Sequence, residues 1–516
     1  MLLAPTPHHT EPAPITPRPR RAAAAALAPK PRRVTATRLT TGLLAPAVTL
    51  CLIAAGAPAT PLGIGDRLFP SLGNPGYDVS SYDLDFTYRG TNTAPLTAVT
   101  TIDATTTQRL ERINLDHAHG AVRSVEVNGA PATFQSAGED LVVTPATPLP
   151  AHARMRITVR HLSDPSPGKD PSSGWVQTTD GLVMANQADG AHRVFPCNDH
   201  PSDKAYFTIR VTAPQGYTAV AGGLPLSTER HGAVTTWEYR TAHPMATELA
   251  QVAIGRSSVV HRTGPHGLPV RDVVPTKDRE SLEKWLRKTP DQIRWMEGKV
   301  GGYPFETYGT LIAEARTGFE LETQTLSLFE RELFLRPELP EWYIESIMVH
   351  ELAHQWFGNS VSPATWSDLW LNEGHATWYE ALYAEEKADR TLQSRMRAAY
   401  EKSDSWRAAG GPPATPEPPR PGRKLDIFRP VVYDGSALVL YALRQEIGRP
   451  AFERLERAWV TTHRDATATT EDFVNLAASI AGRDLSAFFT AWLYGKKTPP
   501  MPGHPDWYSA SPVPHG

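Results

Sequence analysis

In the run MVHELAHQWFGN, Met348 to Asn359, two histidines stand four residues apart inside an otherwise apolar segment. A helix stacks such residues one turn above each other on a single face. His350 and His354 can then aim two imidazoles at one point, with Glu351 beside them. Ile344, Ile347 and Met348 begin an apolar stripe that Leu352 and Trp356 continue, and Gly358-Asn359 offers a helix stop. Two neutral imidazoles at this spacing suit a borderline-soft cation such as zinc and leave room for a third ligand and a water. Glu351 is poorly placed to bind the same ion but can act on that water as a base. Alone, the pattern also fits polar residues on a half-buried helix.

The segment WSDLWLNEGHATWYEALY, Trp366 to Tyr383, reads as a second helix, with Ser367 or Asp368 as its N-cap. Leu369, Trp370, Ala376, Trp378 and Leu382 would bury it, and a carboxylate on such a helix needs a partner. Glu373 is the candidate third metal ligand, giving a two-histidine, one-glutamate set plus water.

The stretch HELAHQWFGNSVSPATWSDLWLNEG resembles the aminopeptidase N family of gluzincin zinc metallopeptidases, which includes leukotriene hydrolase. Eighteen residues separate His354 from Glu373, the spacing of that family's zinc motif. Three more stretches agree in order. MANQADGAHRVFPCNDHPSDKAYF (184–207) is similar to the N-terminal-domain signature. GFELETQTLSLF (318–329) stands where the family carries a G-x-M-E-N substrate-binding strand, and VVYDGSALVLYALR (431–444) is similar to the segment bearing its catalytic tyrosine. With GYDVSSYDLDFTY the likeness covers roughly residues 76 to 495. The usual Met-Glu-Asn appears as Leu321-Glu322-Thr323, with Phe319 in place of a glycine and an extra acid at Glu320.

The resemblance implies a zinc-dependent aminopeptidase holding one zinc ion per chain through His350, His354 and Glu373. Glu351 is then the base for a zinc-activated water and Tyr433 a hydrogen-bond donor to the developing oxyanion. Gln187 and Glu322 receive the free α-amine of a peptide substrate. Asp368 is either a support for a ligand histidine or a helix cap. A thermolysin-like endopeptidase and an inactive zinc-containing peptide-binding protein are the other readings. The Glu322 segment argues against the first, and the presence of Glu351 and Tyr433 against the second. An epoxide-hydrolase side activity, as in leukotriene hydrolase, is neither supported nor opposed by the residues.

The resemblance and the patterning together predict an α+β multidomain chain, an N-terminal all-β domain followed by a thermolysin-like, mainly helical catalytic domain. Period-two runs such as Tyr82-Leu84-Phe86-Tyr88 and Met155-Ile157-Val159, and the hairpin signal Asn128-Gly129, place the β-domain at 76–265. Helical patterns such as SLEKWLRKTPDQIRWMEGKV place the catalytic domain at 266–500, interrupted by a Pro-rich exposed loop from Ser403 to Lys424. Residues 60–75 read as a linker and 501–516 as a tail. The resemblance ends near TAWLYGKK, so the expectation is a short form without the large C-terminal helical domain and with a more open cleft.

Charge is uneven along the chain. Residues 1–59 hold seven basic residues and one acid; removing that net +6 from the chain's −3 leaves −9 on the remainder. An acidic body speaks against nucleic acid as a partner. The basic residues precede an uncharged run from Leu39 to Ala59, which reads as a cleavable signal and hence a secreted protein with no stable membrane association; a monomer is the separate expectation. The alternative is an anchor formed by residues 39–59. After cleavage only Cys197 remains, excluding an intramolecular disulfide; it reads as a buried structural thiol.

Overall fold

The computed structural model describes residues 63–510 other than 168–172, 389 and 421–422. The expected signal segment 1–59 and the last six residues lie outside the described residues. From Tyr77 to Arg240 the chain builds a ten-stranded sheet, and a four-stranded sheet (174–177, 182–185, 218–221, 252–255) accompanies it. Alternation dictates the burial: Tyr82, Leu84, Phe86 and Tyr88 all point into one core, which Met155, Ile157 and Val159 share. Asn128 and Gly129 both take positive φ (53° and 79°), turning the hairpin between Ala121–Val127 and Ala130–Ala137. Cys197 is a buried free thiol in the same core.

The third sheet has four strands, Ser257–Thr263, Pro269–Pro275, Thr310–Ala313 and Ser327–Glu330, the last three running parallel to one another. An expected boundary at 265/266 falls in the loop of this sheet's first hairpin. Pairing across that loop makes Ser257 the start of the sheet that leads into the helical part. Helices then dominate, among them Glu341–Ala353, Leu369–Ala388, Leu392–Gly410 and Asp434–Ile447. Among the described residues no helix is long and apolar enough to cross a membrane.

Three segments depart from their sequence reading because apolar side chains in them found cover. In the expected linker, Leu68, Phe69 and Leu72 are buried with Trp366, Leu369 and Val431. Asp66 ties that segment down: its Oδ1 accepts the Leu68 and Phe69 amides, and its Oδ2 the Trp366 amide at 2.8 Å. The Pro-rich loop is shorter than its composition suggests, since the helix before it runs to Gly410 and Ala414 is buried. In the expected tail, Trp507 is buried and stacks on Tyr441 at 5.8 Å and on His504 at 4.3 Å.

Candidate metal centre and substrate cleft

The helix Glu341–Ala353 is buried along almost its whole length from Ile344, so its polar residues cannot be a solvent face. It ends one residue before His354, earlier than the Gly358-Asn359 stop read from sequence, and His354 is its C-cap. The neighbouring helix Leu369–Ala388 crosses it closely, and the side chains of His350, His354 and Glu373 converge, all three buried. His350 Nε2 lies 3.3 Å and His354 Nε2 3.5 Å from Glu373 Oε2. The candidate donor atoms all fall within 4.8 Å of one another.

The opposite nitrogen of each ring faces an acceptor. His350 Nδ1 meets Glu380 Oε2 at 3.2 Å; His354 Nδ1 meets Asn372 Oδ1 at 2.5 Å and the Phe357 carbonyl at 3.2 Å. Acceptors on this side favour a proton on Nδ1 and leave each Nε2 lone pair aimed at the shared point. Burial would raise Glu380, but Arg395 and His350 hold its carboxyl down at about 2. Arg395 bridges Glu380 (2.8 Å) to Asp434 (2.8 Å), the residue after Tyr433. The donor set fits zinc: Glu373 Oε2 is a buried oxygen with no hydrogen-bond partner, and the candidate donor atoms of His350 and His354 lie within 4.8 Å of it. A second triad, Glu322, Glu351 and His354, is equally compact. It fits a cation less well, because Glu322 Oε1 already accepts Gln187 Nε2 (2.9 Å) and Asn372 Nδ2 (3.2 Å).

Glu351 is buried and its Oε2 has no partner. Burial pushes its carboxyl up to about 8, against the pull of His350 and His354. Tyr433 caps the helix Asp434–Ile447, its ring 6.1 Å from that of His350. Burial, then the charges of Glu373, Glu322 and Glu351, keep its phenol well above the ordinary range, hence protonated. Gly374 lets this helix approach, since a Cβ there would press on Ser436 Cβ at 2.7 Å.

Gln187 comes from the β-domain and Glu322 from the loop before the strand Ser327–Glu330, and both are buried. The Glu322 carbonyl is held by Gln355 Nε2 (3.0 Å) and Asn359 Nδ2 (2.6 Å), which fasten the segment to the turn after His354. Lys204 Nζ reaches the same turn, donating to the carbonyls of Asn359 (2.8 Å) and Ser360 (2.9 Å). Thr323, at the position of the usual asparagine, turns its hydroxyl to the Leu326 carbonyl at 2.5 Å. Glu320 spends its carboxylate on the Glu330 amide at 2.6 Å, which explains it without a substrate.

Asp368 does not support a ligand histidine. Its Oδ2 accepts the amide and hydroxyl of Thr365 and its Oδ1 those of Thr470, a capping arrangement that consumes both oxygens. Asn372 and Glu380 occupy the supporting positions instead. Both were readable in principle: Asn372 precedes Glu373, and Glu380 lies two turns beyond it on the same helical face.

Two family models match the chain: the peptidase M1 N-terminal domain over residues 79–249 and the peptidase family M1 domain over 286–492. Among curated proteins, glutamyl aminopeptidase of Mus musculus is 25% identical over 324 residues, covering 58% of this chain and 34% of that protein. Aminopeptidase M1 of Arabidopsis thaliana is 26% identical over 328 residues, covering 60% and 36%. The chain thus spans about a third of the length of these relatives. A solved M1 zinc metallopeptidase from Deinococcus radiodurans is 28% identical, with a TM-score of 0.71 over 88% of this chain and all of that one. A mutant M1 zinc metallopeptidase from the same organism, bound to a Tyr-Ser-Ala substrate, gives 28% and 0.72 over 86% of this chain and all of that one. A mutant two-domain M1 zinc metallopeptidase bound to L-arginine gives 27% and 0.73, covering 85% and 99%.

Proposed function

The chain belongs to the M1 family of zinc metallopeptidases, and on that premise we propose that it is an aminopeptidase, releasing the first residue of peptides with a free N-terminus. His350, His354 and Glu373 would hold the zinc. Bound there, zinc supplies a Lewis acid for the scissile carbonyl and lowers the pKa of a water beside it. Glu351 presents its unpaired Oε2 to the attacking water, takes up the proton and returns it to the leaving amine. Tyr433 keeps its proton and donates a hydrogen bond to the oxygen on which charge develops. Glu380 and Asn372 hold the two imidazoles in their tautomers.

One observation carries the exopeptidase reading: the buried carboxylate of Glu322, bonded to Gln187, stands beside the metal triad. A substrate's N-terminal ammonium loses its water in such a place and requires a carboxylate. Glu322 faces that need and Gln187 fixes its orientation. The zinc-loaded protein is expected to cleave alanyl or leucyl amides of a fluorogenic amine and to reject their N-acetyl counterparts. Equal cleavage of free and acetylated forms would favour the thermolysin-like endopeptidase and leave the hydrolase intact.

The run 39–59 after a basic segment supports secretion through a cleaved signal. N-terminal sequencing of the protein exported by its host is expected to find the mature chain beginning near Thr60; an intact residue 39–59 segment in a membrane fraction points to the anchor.

A further inference from the structure

Three helices around the metal site meet at one guanidinium. Arg395 stands in the first turn of the helix Leu392–Gly410, Glu380 on the metal helix Leu369–Ala388, and Asp434 opens the helix Asp434–Ile447. Arg395 Nη1 donates to Glu380 Oε1 at 2.8 Å and its Nε to Asp434 Oδ1 at 2.8 Å. Both donors belong to one rigid plane, so the arginine fixes how far apart the two carboxylates stand. Glu380 is buried, and its second oxygen meets His350 Nδ1 at 3.2 Å.

On the other side the fixed point is backbone. The Tyr433 carbonyl accepts the Ser436 and Ala437 amides at 3.0 and 2.9 Å, so the start of the helix carries the tyrosine with it, and Asp434 is the first residue of that helix. The Tyr433 ring lies 6.1 Å from that of His350, and the contacts therefore close on themselves: His350, Glu380, Arg395, Asp434, Tyr433 and back to His350. The side chains of Arg395 and Asp434 are 28% and 33% exposed, and an ion pair so placed adds little to stability. What it adds is alignment.

We propose that Arg395 is a positioning residue: it holds the metal ligand His350 and the oxyanion donor Tyr433 in fixed relation, so that the tyrosine hydroxyl meets the carbonyl oxygen presented at the triad. The inference rests on the aminopeptidase reading. His350 and Tyr433 belong to different helices, and a shift of about 1 Å between such groups can cost on the order of a hundredfold in rate. Arg395 suits the task because its planar fork serves two carboxylates from two sides at once.

The test separates the two arms in the full chain, reading zinc affinity by competition with a chelator and, at saturating zinc, turnover of a leucyl amide of a fluorogenic amine. Asp434→Ala removes only the tyrosine arm. Its kcat is expected to fall at least about tenfold, with KM and zinc affinity within about twofold of wild type. In a Tyr433→Phe background the same substitution is expected to change kcat by less than about twofold, since the hydroxyl it aligns is gone. Arg395→Met removes both arms and is expected to lose kcat as Asp434→Ala does and to bind zinc about tenfold more weakly. An undiminished kcat in Asp434→Ala, or an equal loss with and without the Tyr433 hydroxyl, overturns the proposal even if Arg395→Met fails to fold. Wild-type zinc affinity in a folded Arg395→Met overturns it too. A wild-type protein that cleaves no aminoacyl amide refutes the aminopeptidase reading instead, and the zinc affinity of Arg395→Met then judges Arg395 by itself.

Discussion

Glu351 and Tyr433 are separable by experiment because each has a single proposed task. Glu351→Gln removes a proton acceptor without touching His350, His354 or Glu373. Zinc stoichiometry should persist in metal analysis while turnover falls roughly 10²-fold to 10⁴-fold; near-normal turnover would remove Glu351 from the mechanism. Tyr433→Phe loses one hydroxyl and little volume, so its deficit should appear in kcat and not in KM, since an oxyanion contact forms fully only at the transition state. Glu380→Gln leaves the ligands in place but weakens the acceptor on His350 Nδ1. Its expected signature is a zinc affinity lower by roughly tenfold to a hundredfold, measured by competition with a chelator. At this scale the sequence was most legible where chemistry demands a residue type at a fixed interval, as in the step from His350 to His354 to Glu373. It was least legible for residues that act through others. Asp368 read as either a support or a helix cap, and only the structure decides, since Thr365 and Thr470 take both its oxygens.

Among the elements, the two metal helices stay in register through the turn at Gly358. Its φ of +120° disfavours any side chain, and a Cβ there would overlap the Asn372 carboxamide that holds His354. Gly358→Ala should therefore weaken zinc binding although the residue touches no ligand. Asp368→Ala makes the contrasting case: losing the cap should cost about 1–2 kcal/mol of stability in denaturant unfolding, with zinc retained at full stoichiometry. Zinc loss in Asp368→Ala would restore it to the metal site. Helices and strands were readable from periodicity, as Tyr82, Leu84 and Phe86 illustrate. The segment 63–75 was not, because Leu68 and Phe69 have no period of their own and are buried by partners some 300 residues away, such as Trp366. Composition reports how many prolines a segment has, not which surface lies above it.

For the molecule as a whole, folding stability carries a measurable proton dependence. His161, in the β-domain, is buried with its Nε2 3.0 Å from Thr100 Oγ1. Burial, and then the charge of His117, lower its pKa to about 3 from an ordinary 6.5. Below pH 6.5 the unfolded chain takes up a proton that the folded chain refuses, so the stability this histidine contributes falls as pH falls toward 3. His161→Gln removes the linkage. The variant's stability relative to wild type should improve by about 2 kcal/mol between pH 7.5 and pH 5, at roughly 1.4 kcal/mol per pH unit below 6.5. A pH-independent difference would mean that the folded protein protonates His161 as readily as the unfolded one. The joint between the domains has a wider consequence. Gln187 reaches Glu322 from one domain while Lys204 grips the turn after His354 from the same side. On the aminopeptidase reading, a helical domain cut free of its β-partner would keep its three candidate metal ligands and Glu351, yet lose Gln187, half of the pair proposed to tell the beginning of a peptide from its middle. Restraint, in this architecture, is contributed by the part of the molecule that does no chemistry.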